Sequence, residues 1–179
     1  MKIINLFVGI SGSGKSTYIQ NHLQDIPIIC PDDIRRELTG DVSDQSKNQE
    51  VFKLAEKRFI SALHDSDDVV VDCMNLSVKS LKRWIALAKE AVLEDDVFNI
   101  IRCLSDSLSP YLCKKRISAD IRSGKDRSKT ADAMLKNGES LIDSMSKRYK
   151  AVLPEVLKLG QEFDDIDVEV IPSVLPILV

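Results

Sequence analysis

The octapeptide Gly9-Ile10-Ser11-Gly12-Ser13-Gly14-Lys15-Ser16, followed by Thr17, constrains this chain more than any other stretch. It has the spacing G-x-x-x-x-G-K-[ST] and follows an apolar run, Ile3-Ile4-Asn5-Leu6-Phe7-Val8. Beyond it, Lys15–Leu23 reads as a helix. Glycines at three positions let the loop bend until successive backbone N–H groups turn inward onto an anion. The dipole of the following helix adds to that attraction. In such a cradle Lys15 reaches the β- and γ-phosphates and the Ser16 hydroxyl sits on Mg²⁺. A plain glycine turn would explain the bend but not the Lys-Ser pair. Gly9, Ser11, Gly12, Ser13, Gly14, Lys15, Ser16 and Thr17 are therefore the expected contacts of ATP, or another nucleoside triphosphate.

Apolar runs suited to buried parallel strands occur at Lys2–Val8, Pro27–Cys30, Val69–Asp72, Val97–Arg102 and Val168–Ile171. Between them, helical spacing appears at Gln49–His64, Ser77–Leu93 with Ser77 as N-cap, Pro110–Ile121 and Thr130–Leu157, the last expected to break near Pro154. Ser105–Ser109 and Ser123–Lys129 read as loops. Strand–helix alternation of this kind predicts an α/β fold, a parallel sheet of about five strands flanked by helices on both faces. With 179 residues, one domain spanning 1–179 accounts for the chain.

A net charge of −3 argues against a protein that tracks long stretches of nucleic acid. The segment Lys114–Lys136 departs from that balance, with eight basic residues against three acidic ones. Cys30, Cys73, Cys103 and Cys113 show no C-x-x-C spacing and read as reduced thiols of a cytoplasmic protein rather than metal ligands. No apolar run approaches the length of a membrane span and no signal-peptide pattern is present. The apolar tail Val174–Val179 is expected to pack on the domain or on a partner chain.

An ATP site needs an acceptor site beside it before it does chemistry. The second strand candidate empties into Pro31-Asp32-Asp33-Ile34-Arg35-Arg36. Residues beyond the C-terminal ends of parallel strands share one crevice with the phosphate loop. There Asp32 can take a hydroxyl proton, and Arg35, one turn later on the same side, can grip an anion. Pro-Asp-Asp ahead of a helix is equally a cap with a first-turn acid, and Asp32 can serve as both. His22 and His64 read as surface or capping residues, Trp84 as core, and Tyr111 as the better base-stacking candidate.

The phosphate loop, Asp32–Arg35 and the strand end Asp72-Cys73-Met74-Asn75-Leu76 together resemble the kinase domain of bacteriophage 5′-hydroxyl polynucleotide kinases, within the small P-loop kinases. The resemblance runs from about Lys2 to Tyr149. It implies a P-loop NTPase/kinase fold with a helical lid around 114–136, ATP and Mg²⁺ as cofactors, and a 5′-OH nucleic-acid end as substrate. It makes Lys15 the phosphate-binding lysine, Asp32 the general base, and Arg35 the holder of the phosphate flanking the acceptor. Ser16 and Asp72 become the metal-side residues, and Arg116 and Arg122 the lid arginines, with Lys125 and Arg127 behind them. For a phage protein it implies the host cytoplasm. No Asp-x-Asp-Gly-Thr phosphatase motif occurs, so phosphorylation without dephosphorylation is expected. The acidic balance reconciles with such a substrate if only the last few nucleotides are held. Two other readings stay open: a P-loop kinase for a nucleoside, sugar or nucleotide-sugar, and a nucleotide-dependent switch.

Overall fold

The structure is a computed structural model that describes residues 1–92, 96–127 and 133–173. The strands form where the apolar runs predict. They are β1 (Lys2–Val8), β2 (Ile28–Ile29), β3 (Asp68–Val71), β4 (Val97–Leu104) and β5 (Ile166–Ile171). They pair in parallel in the order β2-β3-β1-β4-β5. The chain lays strands to one side of β1 and then to the other. The crevice beyond the C-terminal end of β1 is thus the switch point where open sheets bind ligands.

Alternation within the strands divides the core. Ile4, Leu6 and Val8 of β1 and Val69 and Val71 of β3 face one layer. That layer contains α3 (Asn48–Asp65), α4 (Val78–Ala91) and α6 (Leu141–Glu162), with Ile34 of α2 (Pro31–Thr39) and Cys113 and Ile117 of α5 (Pro110–Arg122). Phe7, Val70 and Leu104 face the other side, under Ile19 of α1 (Lys15–His22). Helices therefore cover both faces, but unequally. Trp84 belongs to the larger layer, fully packed against Phe59 with ring centroids 5.2 Å apart. Among the described residues no helix is long and apolar enough to cross a membrane.

Four expectations need correction. Residues 133–140 are not helical. Instead Met134 bridges Ser140 across a turn, and Ser140 caps α6 by accepting the Asp143 N–H at 3.1 Å. That helix then runs through Pro154 without breaking. An internal proline costs about 3 kcal/mol, but Ile142, Tyr149 and Val152 before it and Val156 and Leu159 after it are all buried, so tertiary packing holds both halves in line. Ser105–Leu108 forms a 3-10 turn rather than an open loop. The lid is helical only as far as Arg122, since residues 124–127 continue without helix. Leu93, 128–132 and the tail Val174–Val179 lie outside the described residues.

Candidate active site

The phosphate loop joins β1 to α1 and is braced from three sides. Gly9 N–H donates to the Met74 carbonyl at 3.0 Å, tying the loop to the turn after β3. Ile10 N–H donates to Ser107 Oγ at 3.1 Å, and the Ser107 carbonyl in turn accepts from Ser146 Oγ of α6 at 2.7 Å. Gly12 adopts φ +80°, and a Cβ there would lie 2.6 Å from the Cys113 carbonyl oxygen, so α5 leaves room for glycine alone. Gly14, at φ 99°, starts α1.

The Lys15 ammonium sits inside this cradle, donating to the carbonyls of Gly9 at 2.9 Å and Ile10 at 3.1 Å. Burial pushes its pKa below the usual lysine value, and the Asp72 carboxylate opposes that shift. Burial pushes Asp72 the other way, up from the carboxylate range, with Lys15 holding it down. Ser16 Oγ points to Asp72 Oδ2 at 3.5 Å. A hydroxyl and a carboxylate side by side suit Mg²⁺, which keeps waters and phosphate oxygens for its other positions. No group of three or more His, Cys, Asp or Glu side chains suited to a metal occurs among the described residues. The four cysteines form no disulfide, and burial pushes Cys30 and Cys103 up to about 12 and Cys113 to about 11.

The residues expected to face an acceptor begin at α2. Cys30 is its N-cap residue and Pro31 its first residue, so Asp32 does not cap the helix. Asp32 Oδ1 instead accepts from Nη1 of Arg35, three residues on. Arg35 Nη2 donates to Asn48 Oδ1 at 2.8 Å, while its Nε is buried without a partner. Asn48 is held by its own Nδ2, which donates to Gln45 Oε1 at 2.8 Å. The charges of Asp32 and Asp33 both act on Asp72, and that of Asp32 also acts on Lys15. Loop, β3 end and α2 therefore share one electrostatic field.

The lid cations separate. Arg116 donates to Asp106 Oδ2 at 2.7 Å and to the Gly12 carbonyl at 3.2 Å, which places it on the outer wall of the phosphate loop with its charge matched. Arg122 is exposed at the end of α5 and makes no ion pair with a described residue. Arg127 pairs with Asp120, and its charge acts on Lys15. Lys125 also pairs with Asp120, at 3.1 Å. Tyr111 is exposed beneath Lys115. His22, on the surface, stacks on Tyr18.

Sequence reasoning missed two contributors, Arg36 and Asn48, and gave a third, Asn75 of the strand-end motif, no role. Arg36 joins Asp33 of its own helix at 2.9 Å to Asp126 of the lid at 2.7 Å. Asn75, with φ 47°, donates to the Phe7 carbonyl at 2.9 Å and accepts from Ser80 Oγ at 2.6 Å, locking the β3 turn to β1. Only Asn75 had a local signal, as an Asn in the turn after a strand, because asparagine tolerates positive φ.

A family model described as an AAA domain matches residues 4–144, most of the chain. A putative bifunctional polynucleotide kinase/RNA ligase of Autographa californica nuclear polyhedrosis virus is 32% identical over 101 residues. That alignment spans 49% of this chain but only 14% of the viral protein. Among solved structures, a gluconokinase from Sinorhizobium meliloti 1021 is 17% identical, with 98% of this chain and 83% of that one covered at a TM-score of 0.44. The Mycobacterium tuberculosis APS kinase CysC, in complex with AMPPNP and APS, is 21% identical over 86% of this chain and 98% of that one, at a TM-score of 0.37. With its phosphate loop seated at the switch point of a five-stranded parallel sheet, the chain belongs to the AAA domain family and is a P-loop domain of the kinase type.

Proposed function

We propose that this domain transfers the γ-phosphate of ATP to the 5′-hydroxyl end of a polynucleotide, RNA or DNA. The observation that carries the reading is the Asp32–Arg35 pair: a proton acceptor beside an anion holder, with the Asp32 charge acting on both Lys15 and Asp72. The name of the viral relative, which includes polynucleotide kinase, supports the same acceptor. An anion holder beside the base favours a nucleotide end over a neutral sugar.

Phosphoryl transfer through a loose transition state asks for positioning and charge neutralisation. Lys15 holds the β- and γ-phosphates, and the loop N–H groups fix their orientation. Mg²⁺, bound by Ser16 with Asp72 nearby, would neutralise charge on those phosphates. Arg35 grips the phosphate that follows the acceptor nucleoside. Asp32 takes the hydroxyl proton. Of the lid cations, Arg122 and Arg127 close over the donor, while Arg116 stays on Asp106 and the Gly12 carbonyl. With a net charge of −3, the footprint is a few nucleotides, so binding should depend only shallowly on salt.

The test offers labelled ATP with 5′-OH oligonucleotides, nucleoside 3′-monophosphates and free nucleosides in parallel. The proposal expects label on the first two. Label reaching only nucleosides or sugars would replace it with the small-molecule reading.

A further inference from the structure

We infer that Arg35 masks Asp32 until an acceptor phosphate takes the guanidinium, so that the base is released only when the right substrate is bound. This rests on the acceptor site proposed above. It goes beyond it in making Arg35 a gate on the base as well as a grip on the substrate.

The two partners of the ion pair are unequal. The Arg35 side chain is 7% exposed, whereas Asp32 is 64% exposed. Arg35 is also pinned from behind by Asn48, which is itself fixed by Gln45. If the pair opens, Asp32 swings away and the guanidinium stays. The guanidinium still has capacity, because its Nε is buried with no partner and each Nη keeps a further N–H. A phosphate is the group that matches such a fork, because it takes two parallel N–H donors at once. While Oδ1 is bonded to Nη1, the carboxylate is held in one rotamer against its own helix. Once a phosphate occupies Nη1, the carboxylate is free to reach the neighbouring hydroxyl. Asn48 is then a positioning residue: it decides which half of the pair moves.

In the transfer step the acceptor O–H bond breaks and its proton passes to the Asp32 carboxylate. The oxygen bonds to the γ-phosphorus as the bond to the β,γ-bridging oxygen breaks, and ADP leaves with that electron pair. Water can stand in for the acceptor, giving ADP and inorganic phosphate, so a base left permanently open would waste ATP. The mask suppresses that loss.

The experiment reads ATP hydrolysis. A 5′-deoxynucleoside 3′-monophosphate carries the phosphate but no nucleophile. It should stimulate hydrolysis by wild-type protein about tenfold or more, part of what a positioned base supplies. Arg35→Gln should hydrolyse ATP faster than wild type without it and ignore its addition. Asp32→Asn should remove the stimulation. The mask is overturned if the analogue binds by calorimetry yet leaves hydrolysis unchanged or lowers it, or if a folded Arg35→Gln is no faster than wild type. Should the analogue not bind at all, the nucleotide acceptor is wrong, and the Arg35→Gln arm alone decides the mask. Because the wild-type arm needs no variant, poor folding of Arg35→Gln leaves the test intact.

Discussion

The phosphate loop and the proposed acceptor helix α2 act on one electrostatic field but are held in opposite ways. The loop is fixed mostly by backbone: carbonyls grip Lys15, the Met74 carbonyl braces Gly9, and Gly12 is fitted against the Cys113 carbonyl, with the Ser107 hydroxyl as the one side-chain brace, on Ile10. The acceptor end of α2 is fixed by side chains: Asp32 to Arg35, Asp33 to Arg36, Arg36 to Asp126. Backbone bracing preorganises a site that receives the same phosphates in every turnover. Exchangeable ion pairs suit a site that must open for each acceptor and close around it.

The largest effect that would break this contrast comes from the base. Asp32→Asn should lower kcat by about 10²–10⁴ while the ATP Kd, measured by calorimetry, stays at the wild-type value. Unchanged turnover would remove Asp32 from the chemistry. Next, Gly12→Ala adds a Cβ 2.6 Å from a backbone oxygen at positive φ. It should cost about 1–3 kcal/mol of stability by denaturant titration and weaken ATP binding, because the loop cannot relax by side-chain motion.

The loop's chemistry also has a pH signature. Lys15 is held below 10.5 by burial, so it is charged only below that lowered pKa. ATP affinity therefore falls as pH rises through that lowered value, before an ordinary lysine would titrate. Lys15→Arg should flatten that decline, since an arginine stays charged. On the acceptor side, Asn48→Ala removes one hydrogen bond to a buried guanidinium. It should raise the acceptor KM about 5- to 30-fold, in line with about 1–2 kcal/mol, and spare the ATP Kd. The smallest effect belongs to the exposed clasp. Arg36→Ala or Asp126→Ala should change stability by no more than about 1 kcal/mol. A larger loss from Arg36→Ala would mean that the α2–lid link is part of the fold rather than a surface contact.

Much of this layout is legible in the chain. Each strand shows as a short apolar run, so all five were found, although β2 narrows to Ile28–Ile29 and Ile166 alone of β5 is buried. The lysine and serine of the loop are read from spacing because phosphate binding there uses consecutive residues. Asp32 and Arg35 are read because one helical turn separates them. What could not be read is the company distant residues keep. Asn48 lies 13 residues from Arg35, and Asp126 lies 90 from Arg36. Arg116, expected on the donor phosphates, is committed to Asp106 and the Gly12 carbonyl. The proline of α6 misled for the same reason. A local breaker signal lost to burial on both sides of Pro154.

By itself the sequence determined the donor half, because a phosphate cradle is made of neighbouring backbone N–H groups whose geometry glycine spacing dictates. It determined the parallel sheet as well, through apolar runs that have no other place to go than a buried layer. Only the tertiary structure decided which distant partner each charge meets: Arg35 on Asn48, Arg36 on Asp126, Arg116 on Asp106. The chemistry of a charged side chain depends on what lies within a few ångströms, and the packing of the elements, rather than local pattern, settles that.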